Sequence, residues 1–159
     1  AQSVHPSGRF ILSCRLSPTF WDKLGRWLPG NFWRAMRRRT ELADWNHEVP
    51  RNVDYLIGAC QLIRRSALDE VGLLDELIFY GPEDVDLCLR MHEFGWHVMY
   101  EPRAIVVHDE RRIARSVLSG LGWRHMYGVA YYFWKHGYLF SRRRLYARLP
   151  DLSLAENKH

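Results

Sequence analysis

Glu83 and Asp84 stand side by side after Gly81-Pro82, with Asp86 two residues on and Arg90 four beyond that. Proline pre-sets the backbone for a first helical turn, and carboxylates placed there meet the positive end of the helix dipole. Two kinds of chemistry are open to such a pair. Both can cap the helix, or one can be held by its neighbours while the other accepts a proton from a substrate hydroxyl. Asp84-Val85-Asp86 also spells Asp-x-Asp, a metal-binding form. Within a helix those two side chains point about 200° apart, which argues against a shared ion. Asp86 and Arg90 are instead an i, i+4 ion pair in the favourable orientation.

Two other places could carry chemistry. Gly58-Ala59-Cys60 puts three small side chains in a row, so either a neighbouring backbone or a ligand comes close there. His108 closes a β-branched run, and reads as a packed or solvated histidine or as a metal ligand needing partners from elsewhere. No serine sits in a nucleophile-elbow context, and neither a phosphate-cradling glycine loop nor a Rossmann fingerprint is present.

The elements that must position these residues follow from pattern. Arg9–Cys14 reads as a strand after a turn at Pro6-Ser7-Gly8. Phe20 to Met36 places Phe20, Trp21, Leu24, Trp27 and Leu28 at helical spacing, broken at Pro29-Gly30 and followed by a short basic helix ending in Arg37-Arg38-Arg39. That pair is either two amphipathic surface helices or a flap over an acceptor or membrane surface. Val53–Ile63 reads as a strand, and Ser66-x-x-Asp69 as a capping box opening a helix that Gly72 stops. Glu83 to Phe94 reads as a helix ended by Gly95. Trp96–Tyr100 and Ala104–His108 read as strands around a turn, and Ser116–Leu149 as helical with a break near Gly137.

With 159 residues, 47% of them apolar, the chain can bury one substantial core. No apolar run approaches the ~20 residues of a transmembrane helix, and the first residues lack a signal-peptide pattern. Cys14, Cys60 and Cys88 are too few and too scattered for a disulfide framework or a zinc site, which points to a reducing compartment. The net charge of +5 is uneven: residues 111–150 hold nine Lys and Arg, nine aromatics and no Asp or Glu. Such a segment attracts phosphate, and no nucleic-acid module surrounds it, so a sequence-reading role on nucleic acid is not expected.

The order of several pieces carries a resemblance. Pro6-Ser7-Gly8-Arg9, Ser13-Cys14-Arg15 and Pro18 come first. Asp54-Tyr55-Leu56-Ile57-Gly58-Ala59-Cys60 with Arg64-Arg65, then Val71-Gly72-Leu73-Leu74-Asp75-Glu76, follow. Glu83-Asp84-Val85-Asp86-Leu87-Cys88-Leu89-Arg90, Gly95-Trp96, Tyr100-x-Pro102 and Val106-Val107-His108 complete the set. Over residues 5 to 110 this resembles the C-terminal half of family 2 inverting glycosyltransferases, especially bacterial rhamnosyltransferase-like members that build surface polysaccharide.

The resemblance implies an α/β fold: residues 1–110 as the acceptor-side, catalytic half of a GT-A domain with a mixed sheet, and 111–159 as a basic, aromatic helical extension. It implies transfer of a sugar, rhamnose being the model case, from a nucleotide-sugar donor to a polysaccharide or lipid-linked glycan acceptor. Asp84 matches the general base and Glu83 its acceptor-contacting partner. Gly58, Ala59, Cys60 and Trp96 match substrate-binding positions, with the small residues making room for the donor. His108 matches a position that helps hold a divalent metal, Mg or Mn, and Arg90 would pin the acidic helix through Asp86. The family's nucleotide-binding N-terminal half has no counterpart in residues 1–52, so the isolated chain is expected to be inactive and the metal to need that half. The basic tail, residues 111–148, would rest on an anionic membrane at its cytoplasmic face. The contrasting expectation is a non-catalytic remnant that binds membrane or a partner through that tail.

Overall fold

Short strands, rather than long ones, organise this chain. In the computed structural model, which describes residues 1–79, 81–109 and 120–149, β1 (Gln2–Val4) turns back at Gly8 to pair antiparallel with β2 (Phe10–Ile11). Gly8 takes a positive φ of 81° there, a conformation glycine adopts without strain. On its other edge β1 pairs parallel with β7 (Ile105–Val107), so the three-stranded sheet is mixed. Two antiparallel pairs are the other sheets among the described residues: β3 (Cys14–Arg15) with β5 (Tyr55–Leu56), and β4 (Arg51–Asn52) with β6 (Met99–Tyr100).

Six helices pack around them among the described residues. Helix α1 (Phe20–Leu24) opens on a capping box in which Thr19 and Asp22 satisfy each other's backbone amides. After Pro29-Gly30 comes α2 (Asn31–Thr40), then α3 (Arg65–Val71) and α4 (Glu83–Glu93). The capping box expected at Ser66-x-x-Asp69 does not form. Arg64 occupies the cap position without a side-chain bond, and Asp69 pairs with Arg65 instead. Helix α4 is buried almost all round, through Val85, Leu87, Cys88, Leu89 and Met91, so it is a core helix rather than a surface one. Gly95, with φ of 81°, ends it.

The strand expected over Val53–Ile63 is a correction. Only Tyr55–Leu56 pair, and Gly58-Ala59-Cys60 form a turn after them. The physical reason is that the Gly58 amide is taken by a side chain of α4 and not by a neighbouring strand.

Helices α5 (Gly120–His136) and α6 (Arg143–Arg148) come from the basic, aromatic segment; the part of that segment from 111 to 119 lies outside the described residues. Their aromatics do not simply face outward. Tyr132 and Leu145 are fully buried, and with Phe133, Tyr138 and Tyr146 they share one hydrophobic cluster with Cys14, Val53, Leu56, Val85 and Leu89. Burying a Leu- or Phe-sized side chain is worth roughly 1.5–3 kcal/mol. Residues on both sides of position 110 therefore fill a single core.

Polar contacts tighten the same seam. Arg142 reaches Asp22 at 2.6 Å and the Ser17 carbonyl, tying α6 to the start of α1. The Tyr146 hydroxyl donates to buried Asp54 Oδ2 at 2.7 Å, and that oxygen also accepts from the Ser17 amide.

Candidate active site

The turn after β5 and the first turn of α4 meet edge to edge. The Gly58 amide donates to Asp84 Oδ2 at 3.0 Å, and Asp84 Oδ1 accepts from the Val85 amide at 2.8 Å. Glu83 bends the other way, its Oε2 accepting from the Gly81 amide at 2.8 Å. The two adjacent carboxylates thus divide the work that spacing left open. Glu83 closes the local turn, and Asp84 is held across the fold with its carboxylate half-buried.

Burial raises the Asp84 carboxyl, and the neighbouring negative charge of Glu83 raises it further. Together they outweigh the two amide donors and the attraction of Lys23, leaving the group at about 6 instead of 3.8. Three groups from other elements feel that charge: Lys23 of α1, Arg15 of β3 and Tyr55 of β5. Lys23 is itself lowered to about 8, first by burial and then by nearby Arg26. A carboxylate in this setting is mostly ionised at neutral pH yet basic enough to take a proton from a hydroxyl.

Asp86, two residues away, has the opposite setting. It is fully buried, with Arg90 Nε at 2.9 Å on one oxygen and Lys135 Nζ at 2.8 Å and His136 Nε2 at 2.9 Å on the other. Burial alone would raise it, but the hydrogen bonds from His136, Lys135 and Arg90 prevail and hold it at about 2. Lys135 also reaches Asp75 at 2.7 Å. Arg90, besides its bond to Asp86, donates to the carbonyls of Val71 and Leu73 at the end of α3. This is a structural clasp between α3, α4 and α5.

Gly81 is forced by its neighbours. Its φ is 142°, and a Cβ there would lie 2.5 Å from His125 Nδ1 of α5. Arg124, next in α5, sits over the Phe79 ring at 4.8 Å. Helix α5 therefore braces the loop that delivers the acidic pair; Tyr80 itself lies outside the described residues.

The remaining expected residues are placed as follows. Gly58 is exposed and touches Asp84, with Ala59 and Cys60 beside it in the turn. Trp96 is not brought to Asp84. It follows the far end of α4, 12 residues on, and donates its indole N–H to Glu70 of α3 at 2.8 Å. His108 follows β7, with its amide bound to the Val4 carbonyl. No group of three His, Cys, Asp or Glu among the described residues could hold a metal ion. One imidazole does not make a metal centre, so these residues do not fit a resident Mg or Mn by themselves. Pattern reading missed Lys23, Arg15 and Tyr55. Their approach to Asp84 is purely tertiary, and only the helical phase of Phe20–Leu24 hinted at where Lys23 would point.

A family model for glycosyltransferase like family 2 matches residues 13–121, a span that includes the Gly58 turn, the acidic pair, Asp86 and Arg90. The chain belongs to that family. It is 39% identical over 108 residues to an N-acetylglucosaminyl-diphospho-decaprenol L-rhamnosyltransferase of Mycobacterium tuberculosis, covering 68% of this chain and 34% of that protein. It is also 48% identical over 67 residues to a pre-mycofactocin glycosyltransferase of the same species, covering 42% of this chain and 14% of that one. The chain thus spans about a third of the length of the first of these relatives. No solved structure matches it. The match to rhamnosyltransferase-like transferases agrees with the resemblance read from the motifs, and the mixed α/β architecture agrees with a GT-A-like domain. No described helix is long and apolar enough to cross a membrane.

Proposed function

We propose that this chain supplies the acceptor side of an inverting sugar transfer, with Asp84 as the general base. One observation carries the reading: a half-buried carboxylate in the first turn of the acidic helix, fixed by the Gly58 amide and raised to about 6. In the step we derive, Asp84 takes the proton of an acceptor hydroxyl as its oxygen forms a bond to the anomeric carbon. The bond from that carbon to the nucleoside diphosphate breaks on the opposite face, and its electron pair leaves with the phosphate oxygen. Attack opposite the leaving group inverts the anomeric centre.

Glu83 lines the acceptor approach, and Gly58, Ala59 and Cys60 leave space for the donor sugar. The donor-binding half is proposed to lie outside this chain, which would leave the chain inactive alone. His108 offers a single ligand toward Mg or Mn, and no step is routed through a metal. The first relative's name suggests rhamnose as the sugar and a lipid-diphosphate sugar as the acceptor. The setting would be the cytoplasmic face of a membrane, with the basic aromatic segment toward anionic lipid.

The test is Asp84→Asn in the polypeptide as its source cells make it, assayed with nucleotide-sugar and a lipid-diphosphate sugar. Losing a general base costs about 10²–10⁴-fold in rate, and we expect a loss at the upper end with donor binding unchanged. Full turnover by the variant would refute the base and favour a binding role without chemistry.

A further inference from the structure

An apolar cleft of about 1060 Å³ opens between α1 and the α5–α6 pair. Its walls include Leu24, Trp27, Val129, Phe133, Trp134 and Phe140, and Lys23, Arg143 and Arg144 border it. Among the described residues, no acidic side chain lines it. Trp27, Trp134 and Phe140 are 67%, 77% and 57% exposed, a large apolar surface for a chain to leave in water. Aromatics and cations together suit an interface between lipid and water.

Lys23 connects this cleft to the acidic helix. It borders the cleft, and it is near enough to Asp84 for each charge to act on the other. The carboxylates that act on it, Asp84 and Asp22, make no ion pair with it; Asp22 is taken by Arg142. A half-buried ammonium beside Arg26, with no anion in contact among the described residues, is a place where a phosphate would be stabilised.

We infer that the cleft holds the hydrocarbon tail of a polyprenyl-diphosphate-linked acceptor, with the diphosphate at Lys23 and the terminal sugar directed toward Asp84. The inference rests on the sugar-transfer reading above and adds the place where the lipid is gripped. Charge complementarity selects the occupant. A neutral lipid leaves Lys23, Arg143 and Arg144 unanswered, a bare phosphate leaves the apolar walls uncovered, and an anionic phospholipid carries no sugar to direct toward Asp84. The attachment extends beyond the basic segment, since α1 forms one wall.

The test measures binding of geranylgeranyl diphosphate to the native polypeptide by tryptophan fluorescence, with inorganic pyrophosphate and both phosphatidylcholine and anionic phosphatidylglycerol vesicles as comparisons. Ala130→Trp, on the α5 wall, and Lys23→Gln are each expected to weaken geranylgeranyl diphosphate binding at least tenfold. Trp134→Glu, at an exposed position, replaces Ala130→Trp should the latter lower the melting temperature. Pyrophosphate binding as tight as the lipid would reduce the site to an anion site and overturn the proposal. Equal binding by all variants would overturn it too, as would vesicles that bind as well as the diphosphate. These outcomes are independent of turnover by Asp84→Asn. Loss of the cleft leaves the base standing, and loss of the base leaves lipid binding measurable.

Discussion

Asp84 and Asp86 share a helix and are two residues apart, yet the protein treats them in opposite ways. Asp84 lies against the Gly58 turn, where burial and Glu83 push it up to about 6. Asp86 points into the seam with α5, where Arg90, Lys135 and His136 hold it at about 2. Divergent carboxylates on one element separate a group that can exchange a proton from one that must not. A helix turns neighbours i and i+2 to different faces, so one short acidic motif can serve both purposes.

Removing Asp86 should have the largest effect on stability. Asp86→Asn leaves cations buried around a neutral side chain, and breaking a buried pair costs about 3–5 kcal/mol. Urea unfolding would measure it, and a loss below 1 kcal/mol would break the contrast at its structural end.

Asp84→Asn should be far milder than Asp86→Asn, because two effects oppose. Relief of a disfavoured charge favours the variant by about 1–3 kcal/mol at pH 8, while Asn offers one oxygen where Asp84 accepts two amides, which costs about 1–3 kcal/mol. A loss as large as that of Asp86→Asn would mark Asp84 as a structural cap. The pH dependence carries the same signs. The Asp84 contribution is fully present below pH 3.8 and is lost as pH rises through about 6. The Asp86 contribution is present above pH 3.8 and drains away as pH falls through about 2. Turnover in the native polypeptide should rise with pH and level above about 6, and Asp84→Asn should abolish that inflection.

Gly81→Ala comes next, with a positive φ and a Cβ driven into His125; strain of this kind costs about 1–3 kcal/mol. A variant melting within a degree of the parent would show that the loop can move away from α5. The smallest stability effect belongs to Gly58→Ala, whose Cβ would sit 3.8 Å from Asp84 Cβ, an ordinary contact. Stability should stay within about 0.5 kcal/mol. A loss of transfer without a loss of stability would then locate the donor sugar above that turn.

What the sequence made legible follows from range. The helix at Glu83–Glu93, its Gly95 stop, the Asp86–Arg90 pair and the Pro29-Gly30 break are local consequences of capping, spacing and backbone freedom, and all could be read directly. The Val53–Ile63 strand could not, because a turn there depends on Asp84 capturing the Gly58 amide from 26 residues away. The partners of Asp86 were equally hidden. Lys135 and His136 looked like part of a basic surface, and no periodicity says that one cation in such a segment will be buried against a carboxylate 50 residues earlier. The motif order identified the family, while the walls of the site, Lys23, Arg15 and Tyr55, come from elements whose meeting only the fold reveals.

The family model ends at residue 121, at the start of α5, and Lys135 and His136, which both contact Asp86, lie past it. A chimaera joined at 121 to the tail of another transferase would keep Arg90 and lose Lys135 and His136 wherever the new tail does not supply the same two side chains. The acidic helix is therefore anchored by residues that a fusion at 121 would replace. A junction beyond His136 keeps Arg90, Lys135 and His136 together around Asp86 and should preserve the melting temperature.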